Sequence, residues 1–175
     1  MNDVIRAMIE RRSVRNFRPV MPPEQDIEQI IQAGLYAASS RGKQGTLIVS
    51  VTNRQLRERL VRDNRAIGGW DGDFDPFYGA PVILIVLGDK SSANRVYDGS
   101  LVMGNLMLAA HSLGLGSIWI HRAKEEFEMP EYKALLKELG VSGEWEGIGH
   151  CAVGFMDCDL QKPPELKPGR VFWAE

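Results

Sequence analysis

Pro81-Val82-Ile83-Leu84-Ile85-Val86-Leu87 is a proline followed by six consecutive aliphatic residues. A half-exposed strand would alternate apolar and polar side chains, and an amphipathic helix would show a stripe every 3.6 residues. An unbroken aliphatic run of this length does neither and reads as a strand buried on both faces. Pro81 can open such a strand because its missing N–H falls outside the ladder. A strand covered twice requires packed layers on both sides, so the run predicts a sheet flanked by helices. It is far too short to span a bilayer.

Working outward, residues 46–52 (TLIVSVT), 116–121 (GSIWIH) and 147–155 read as three further strands. Helices alternate with them. Val4, Ile5, Met8 and Ile9 recur at helical spacing, predicting a helix from Asp3 to about Arg12. Pro22-Pro23-Glu24 starts a second, carrying Ile27, Ile30, Ile31 and Leu35. Asn53 can cap a short third helix with Leu56 and Leu60. Residues 94–113 form the longest candidate, apolar on so wide a surface that burial on more than one side is expected, as at a subunit interface. Gly114 supplies its left-handed cap, and Pro130 opens a last helix ending near Gly140. Residues 63–79 show neither period and hold Trp70, Phe74, Phe77 and Tyr78 among four glycines. Such a loop reads either as a lid over a site or as rings packed on the core. Pro163, Pro164 and Pro168 make residues 157–175 an extended arm. The expected fold is therefore one α+β (α/β-like) domain, 1–175, with a mostly antiparallel or mixed sheet flanked by helices.

Composition limits the function. Twenty-one Lys+Arg against 23 Asp+Glu give a net charge of −2, which offers no general attraction to nucleic acid or an anionic membrane. Two cysteines, Cys151 and Cys158, imply neither a disulfide framework nor a cysteine metal site. The N-terminus lacks the apolar stretch of a signal peptide, and a reducing cytoplasm is the expected compartment. Five arginines (6, 11, 12, 15 and 18) fall in the first eighteen residues without a lysine. Arginine suits planar, bidentate contact with phosphate, although a solvated helix face would read the same way.

No Walker A loop, GxSxG elbow or histidine pair at ligand spacing is present. His111, in the long helix, reads as a core or interface residue. His150 and Cys151 are adjacent on a strand and point to opposite faces, which disfavours a nucleophile pair. The glycines of 114–116 and 147–149 fit capping and close packing better than a dinucleotide fingerprint. No side chain stands out as a nucleophile or general base. A bound cofactor that carries the chemistry itself would explain that pattern.

Several segments make the resemblance specific. Arg11-Arg12-Ser13-Val14-Arg15-Asn16-Phe17 after the first helix resembles the opening motif of the nitroreductase family. Ala37-Ala38-Ser39-Ser40 with Gln44, and Tyr78-Gly79-Ala80-Pro81-Val82, resemble two further motifs in order. Asp98-Gly99-Ser100 leading to Asn105 and Gly114-Leu115-Gly116 resembles its central helix and next strand, and Lys167-Pro168-Gly169-Arg170-Val171-Phe172-Trp173 its closing segment.

The resemblance implies a homodimer with two FMN sites at its interface and NAD(P)H as electron donor. Arg11, Ser13 and Arg15 would face the flavin, with Arg12 nearby. Arg11 would lie towards phosphate or ribityl, and Arg15 towards the ring. A last helical turn would put Arg11 and Arg15 on one face. Arg170 and Lys167 would close on the phosphate from the tail. Ser39, Ser40 and Gln44 would reach the flavin from the partner subunit, although this chain has Gly42, Gly45 and Thr46 where the family usually has Asn and Pro-Trp. Ile120, His121 and Arg122 would present backbone groups, and Trp70, Phe74, Phe77 and Tyr78 would form the substrate lid. The implied reaction is ping-pong: hydride passes from NAD(P)H to flavin N5, and electrons then pass to a small acceptor such as a nitroaromatic or quinone. No catalytic side chain and no metal is required. The rival readings are another FMN enzyme on this scaffold, such as a dehalogenase or dehydrogenase, a flavin-binding redox module without turnover, and a fold relative that binds another anion.

Overall fold

The computed structural model describes residues 1–174. In it the aliphatic run is strand β2 (Val82–Asp89), and every residue from Val82 to Leu87 is fully buried. β2 lies between β1 (Thr46–Val51) and β4 (Trp145–Gly154), and β3 (Gly116–Ile120) follows beyond β4. The order is β1-β2-β4-β3, with every pairing antiparallel. The mixed arrangement is therefore not adopted. Ile83, Ile85 and Leu87 pack on one face with Leu60, Phe77, Phe127 and Tyr132. Val82, Leu84 and Val86 pack on the other with Ile30, Met103 and Leu106. The unbroken apolar run is thus the period-2 pattern of a strand with two interiors rather than one.

The helices among the described residues are α1 (Asp3–Glu10), α2 (Glu24–Leu35), α3 (Arg54–Gly68), α4 (Arg95–Ser112), α5 (Ala123–Glu126) and α6 (Pro130–Glu138). Five of them cover these faces, and the sixth, α1, lies against α4. Asn2 and Asn53 cap α1 and α3 by accepting the amides of Ile5 and Leu56, each at 2.9 Å. α4 buries Val102, Met103, Leu106 and Ala110 against the sheet and leaves Val96, Tyr97 and Leu101 exposed. Gly114 follows it at φ +75°, as a left-handed cap requires. Gly147 sits where a Cβ would meet the Ala123 carbonyl oxygen at 2.0 Å, so the start of α5 rests directly on β4. No helix among the described residues is long and apolar enough to cross a membrane.

Two sequence expectations change here. α3 extends to Gly68, into the stretch read as loop, because its inward positions after Leu60 are the buried polar residues Asp63 and Asn64. A hydrophobic stripe cannot register a core face made of polar groups. In turn, α1 stops at Glu10 rather than near Arg12.

Candidate functional site

β3 is an edge strand, paired with β4 on one side only. Its other edge is met by the chain that leaves α1: Ser13 bridges Ser117 in parallel, and the Val14 amide donates to the Ser117 carbonyl at 3.0 Å. Arg11 already has extended backbone, at φ −52° and ψ 133°. Arg11 and Arg15 therefore do not share a helical face as expected. Extended backbone puts alternate residues on one side, which groups Arg11, Ser13 and Arg15 apart from Arg12 and the buried Val14.

The four polar residues differ in how they are engaged. Arg12 donates Nη1 to the Ile9 carbonyl at 2.8 Å and Nε to the Lys162 carbonyl at 3.4 Å, so it closes the end of α1 and ties down the arm. Arg11 buries Nη1 without any partner among the described residues, and Arg12, despite these contacts, leaves its Nη2 buried and unpartnered as well. Neither the Ser13 hydroxyl nor the Arg15 guanidinium makes a hydrogen bond or ion pair among the described residues. A buried guanidinium N–H left unpaired is costly, and an anionic group at this place would satisfy it.

About 15 Å further along the edge, four to five residues at strand rise, lies the turn Ile120-His121-Arg122. The Ile120 carbonyl faces His150 Nδ1 at 3.3 Å, and the His121 carbonyl accepts from Asn64 Nδ2 at 2.9 Å. The amides of His121 and Arg122 have no protein acceptor among the described residues. Arg122 is held at φ +80°, donates Nε to Asn64 Oδ1 at 3.0 Å, and lies 4.3 Å over the Trp70 ring. The His121 side chain is exposed. Beside this turn is a cleft of about 660 Å³ lined by Trp119, His121, Arg122 and Ile148.

The aromatic segment is only partly a surface. Trp70 and Phe74 are 39% and 38% exposed and meet edge to face at 5.1 Å. Tyr78 is half-buried, and Phe77 is fully buried against His150 at 5.2 Å. Phe77 is therefore a core residue, not part of a lid, and the segment is pinned by Asp75, which accepts the amides of Phe77 and Gly79.

Ser39, Ser40 and Gln44 lie on a turn anchored elsewhere. The Ser40 amide donates to Asp98 Oδ1 at 3.0 Å, Asn94 donates to Ser40 Oγ at 2.8 Å, and the Gln44 amide donates to Ser39 Oγ at 2.9 Å. No hydrogen bond or ion pair among the described residues joins this turn to the Arg11–Arg15 segment. Lys167 and Arg170 sit on an exposed arm that ends in the exposed Val171, Phe172 and Trp173. One chain thus brings together the arginine segment, the edge of β3 and the 120–122 turn, but not the Ser39–Gln44 turn or the arm's cations.

His150 and Cys151 point to opposite faces of β4 and pack in different cores. Burial pushes the Cys151 thiol up to about 12, against a smaller opposing effect from the nearby Arg11 charge. Since the thiolate is the reactive form, a disulfide-exchange reagent at pH 8 should label exposed Cys158 alone in the native protein and both thiols after unfolding. Rapid labelling of two thiols in the native state would contradict this burial. His150 instead belongs to a buried polar chain with Glu126 and Asn64 that the sequence did not disclose.

The nitroreductase family model matches residues 8–155. A Methanothermobacter thermautotrophicus protein whose name carries the words NAD(P)H nitroreductase is 33% identical over 121 residues, 67% of this chain and 60% of that protein. An NADPH-flavin oxidoreductase of Vibrio harveyi is 30% identical over 152 residues, 78% of this chain and 63% of that protein. The chain thus spans less than two thirds of the length of these two relatives. Among solved structures, a Bacteroides fragilis nitroreductase with bound FMN superposes with a TM-score of 0.87 at 28% identity, over 100% of both chains.

Proposed function

Since the chain belongs to the nitroreductase family, we propose that it is an NAD(P)H-dependent FMN oxidoreductase acting as a homodimer, with the 1–175 chain as one FMN-binding domain. The observation that carries this reading is the edge of β3, which has guanidinium and hydroxyl donors at one end and two amides at the other, all without partners among the described residues. That spacing suits a nucleotide with an anionic tail and a planar, polar-edged ring. Arg11 and Ser13 would hold the phosphate and ribityl, Arg15 would lie towards the ring, and the 120–122 turn would meet the ring's polar edge. Bound FMN would supply the redox chemistry: hydride acceptance from NAD(P)H at N5, then electron transfer, in ping-pong order, to a small acceptor such as a nitroaromatic or quinone. Positioning does the rest, and no acid–base side chain is needed.

A second copy of the chain would complete the site. α1 buries none of its residues, and Val4, Ile5, Met8 and Ile9 are all exposed, as are Val96, Tyr97 and Leu101 on α4. So many large apolar side chains left exposed on two helices suit an association face. A partner would bring its Ser39, Ser40 and Gln44, and its arm with Lys167 and Arg170, towards the first subunit's arginines. Trp70, Phe74 and Tyr78 would border the acceptor's place. The purified protein should be yellow, or become so with FMN, and migrate at twice the monomer mass. Anaerobic NADH or NADPH should bleach the flavin band, and a nitroaromatic or quinone should restore it. A colourless protein that takes up no FMN, or a colour that no nicotinamide bleaches, would overturn the reading.

A further inference from the structure

Two successive carbonyls of the 120–122 turn are held from inside the protein. His150 Nδ1 faces Ile120 O at 3.3 Å, and Asn64 Nδ2 donates to His121 O at 2.9 Å. The two side chains are joined by Glu126, whose Oε2 lies 2.6 Å from His150 Nε2 and whose Oε1 accepts from Asn64 at 2.7 Å. Asn64, Glu126 and His150 are all fully buried. A trans peptide is planar, with its N–H opposite its C=O, and there is no cis bond among the described residues. Holding the Ile120 carbonyl therefore aims the His121 amide, and holding the His121 carbonyl aims the Arg122 amide. Both carbonyls are held from the core side, so both amides point away from it.

The same group restrains Arg122. Asn64 Oδ1 accepts its Nε, and the Trp70 ring supports the guanidinium from the other side. A non-glycine residue at φ +80° persists only where its surroundings over-determine it. Two buried polar side chains, on α3 and β4, thus hold the 120–122 turn, and a third, on α5, joins them. A core serving stability alone would be filled more cheaply by apolar groups.

We propose that Asn64, with Glu126 and His150 behind it, is a positioning residue that aims the His121 and Arg122 amides at the flavin ring and so tunes its redox balance. The proposal rests on the FMN reading above. None of the three touches the ring; each acts through the backbone.

The test is the ratio of affinities for oxidised and reduced FMN, read as the midpoint potential of the bound flavin, alongside thermal unfolding of the flavin-free protein. In Asn64→Ala the ratio should change by about tenfold, which for a two-electron couple is about 30 mV, with a shift in the flavin absorption band. Should Asn64→Ala not fold, Asn64→Ser carries the same expectation, because its side chain is too short to hold both Glu126 and the His121 carbonyl. A variant that loses thermal stability but keeps the wild-type ratio within twofold would show a purely structural role and overturn the proposal. If the wild-type protein itself binds no FMN, the flavin reading fails and this inference falls with it, an outcome distinct from an unmoved potential.

Discussion

Arg11→Ala is expected to weaken FMN binding tenfold to a hundredfold while leaving the fold intact. A hydrogen bond to a charged group contributes about 1.5–3 kcal/mol, which at about 1.4 kcal/mol per decade gives that range. Arg11 Nη1 is buried and makes no hydrogen bond among the described residues, so its removal takes away a donor without breaking a native hydrogen bond. Arg12→Ala should behave differently, since Arg12 also holds the Ile9 and Lys162 carbonyls; it should loosen the arm and lower stability, with any loss of affinity through its buried, unpartnered Nη2 coming on top of that. Arg170→Ala should resemble Arg11→Ala, because Arg170 is exposed and free of ion pairs among the described residues. Titration of the flavin-free variants with FMN, followed by fluorescence quenching, measures all three. Wild-type affinity in both Arg11→Ala and Arg170→Ala would remove the phosphate from this end of β3.

His150→Ala should cost about 3–5 kcal/mol of stability, the range for breaking a buried polar pair from one side. The imidazole fills a fully buried site, meets Phe77 edge to face at 5.2 Å, and shares the Glu126 carboxyl at 2.6 Å. Truncation leaves a cavity and strands Glu126 with Asn64 as its remaining partner. At about 2–4 °C per kcal/mol for a chain of this size, the melting temperature should fall by about 10 °C. His121→Ala, at an exposed side chain one strand away, should stay within about 0.5 kcal/mol. Urea unfolding of the flavin-free proteins separates these expectations from any effect of bound FMN. A loss below about 1 kcal/mol in His150→Ala would mean that His150 and Glu126 do not form a buried pair that needs both partners.

The amino-acid sequence alone determined the architecture and most of its punctuation. The run Val82–Leu87 could bury every side chain only in a covered strand, and each of those residues is indeed buried on one face or the other. Asn53, Pro130 and Gly114 mark helix ends through local chemistry, a capping oxygen, a missing N–H and a left-handed backbone, none of which needs a distant partner. The family motifs were legible for the same reason: they are contiguous. Tertiary structure decided the rest. α3 continues past Leu60 because Asp63 meets the Tyr132 hydroxyl at 2.9 Å and Asn64 meets Glu126, partners 69 and 62 residues away that no local period can report. Phe77 left the expected lid for the core because His150 supplies its neighbour from β4. Arg11 and Arg15 came to share a side through extended pairing with β3 rather than a helical turn. Periodicity records which side chains avoid water; it does not record which buried polar groups find one another, and that pairing is what holds the 120–122 turn.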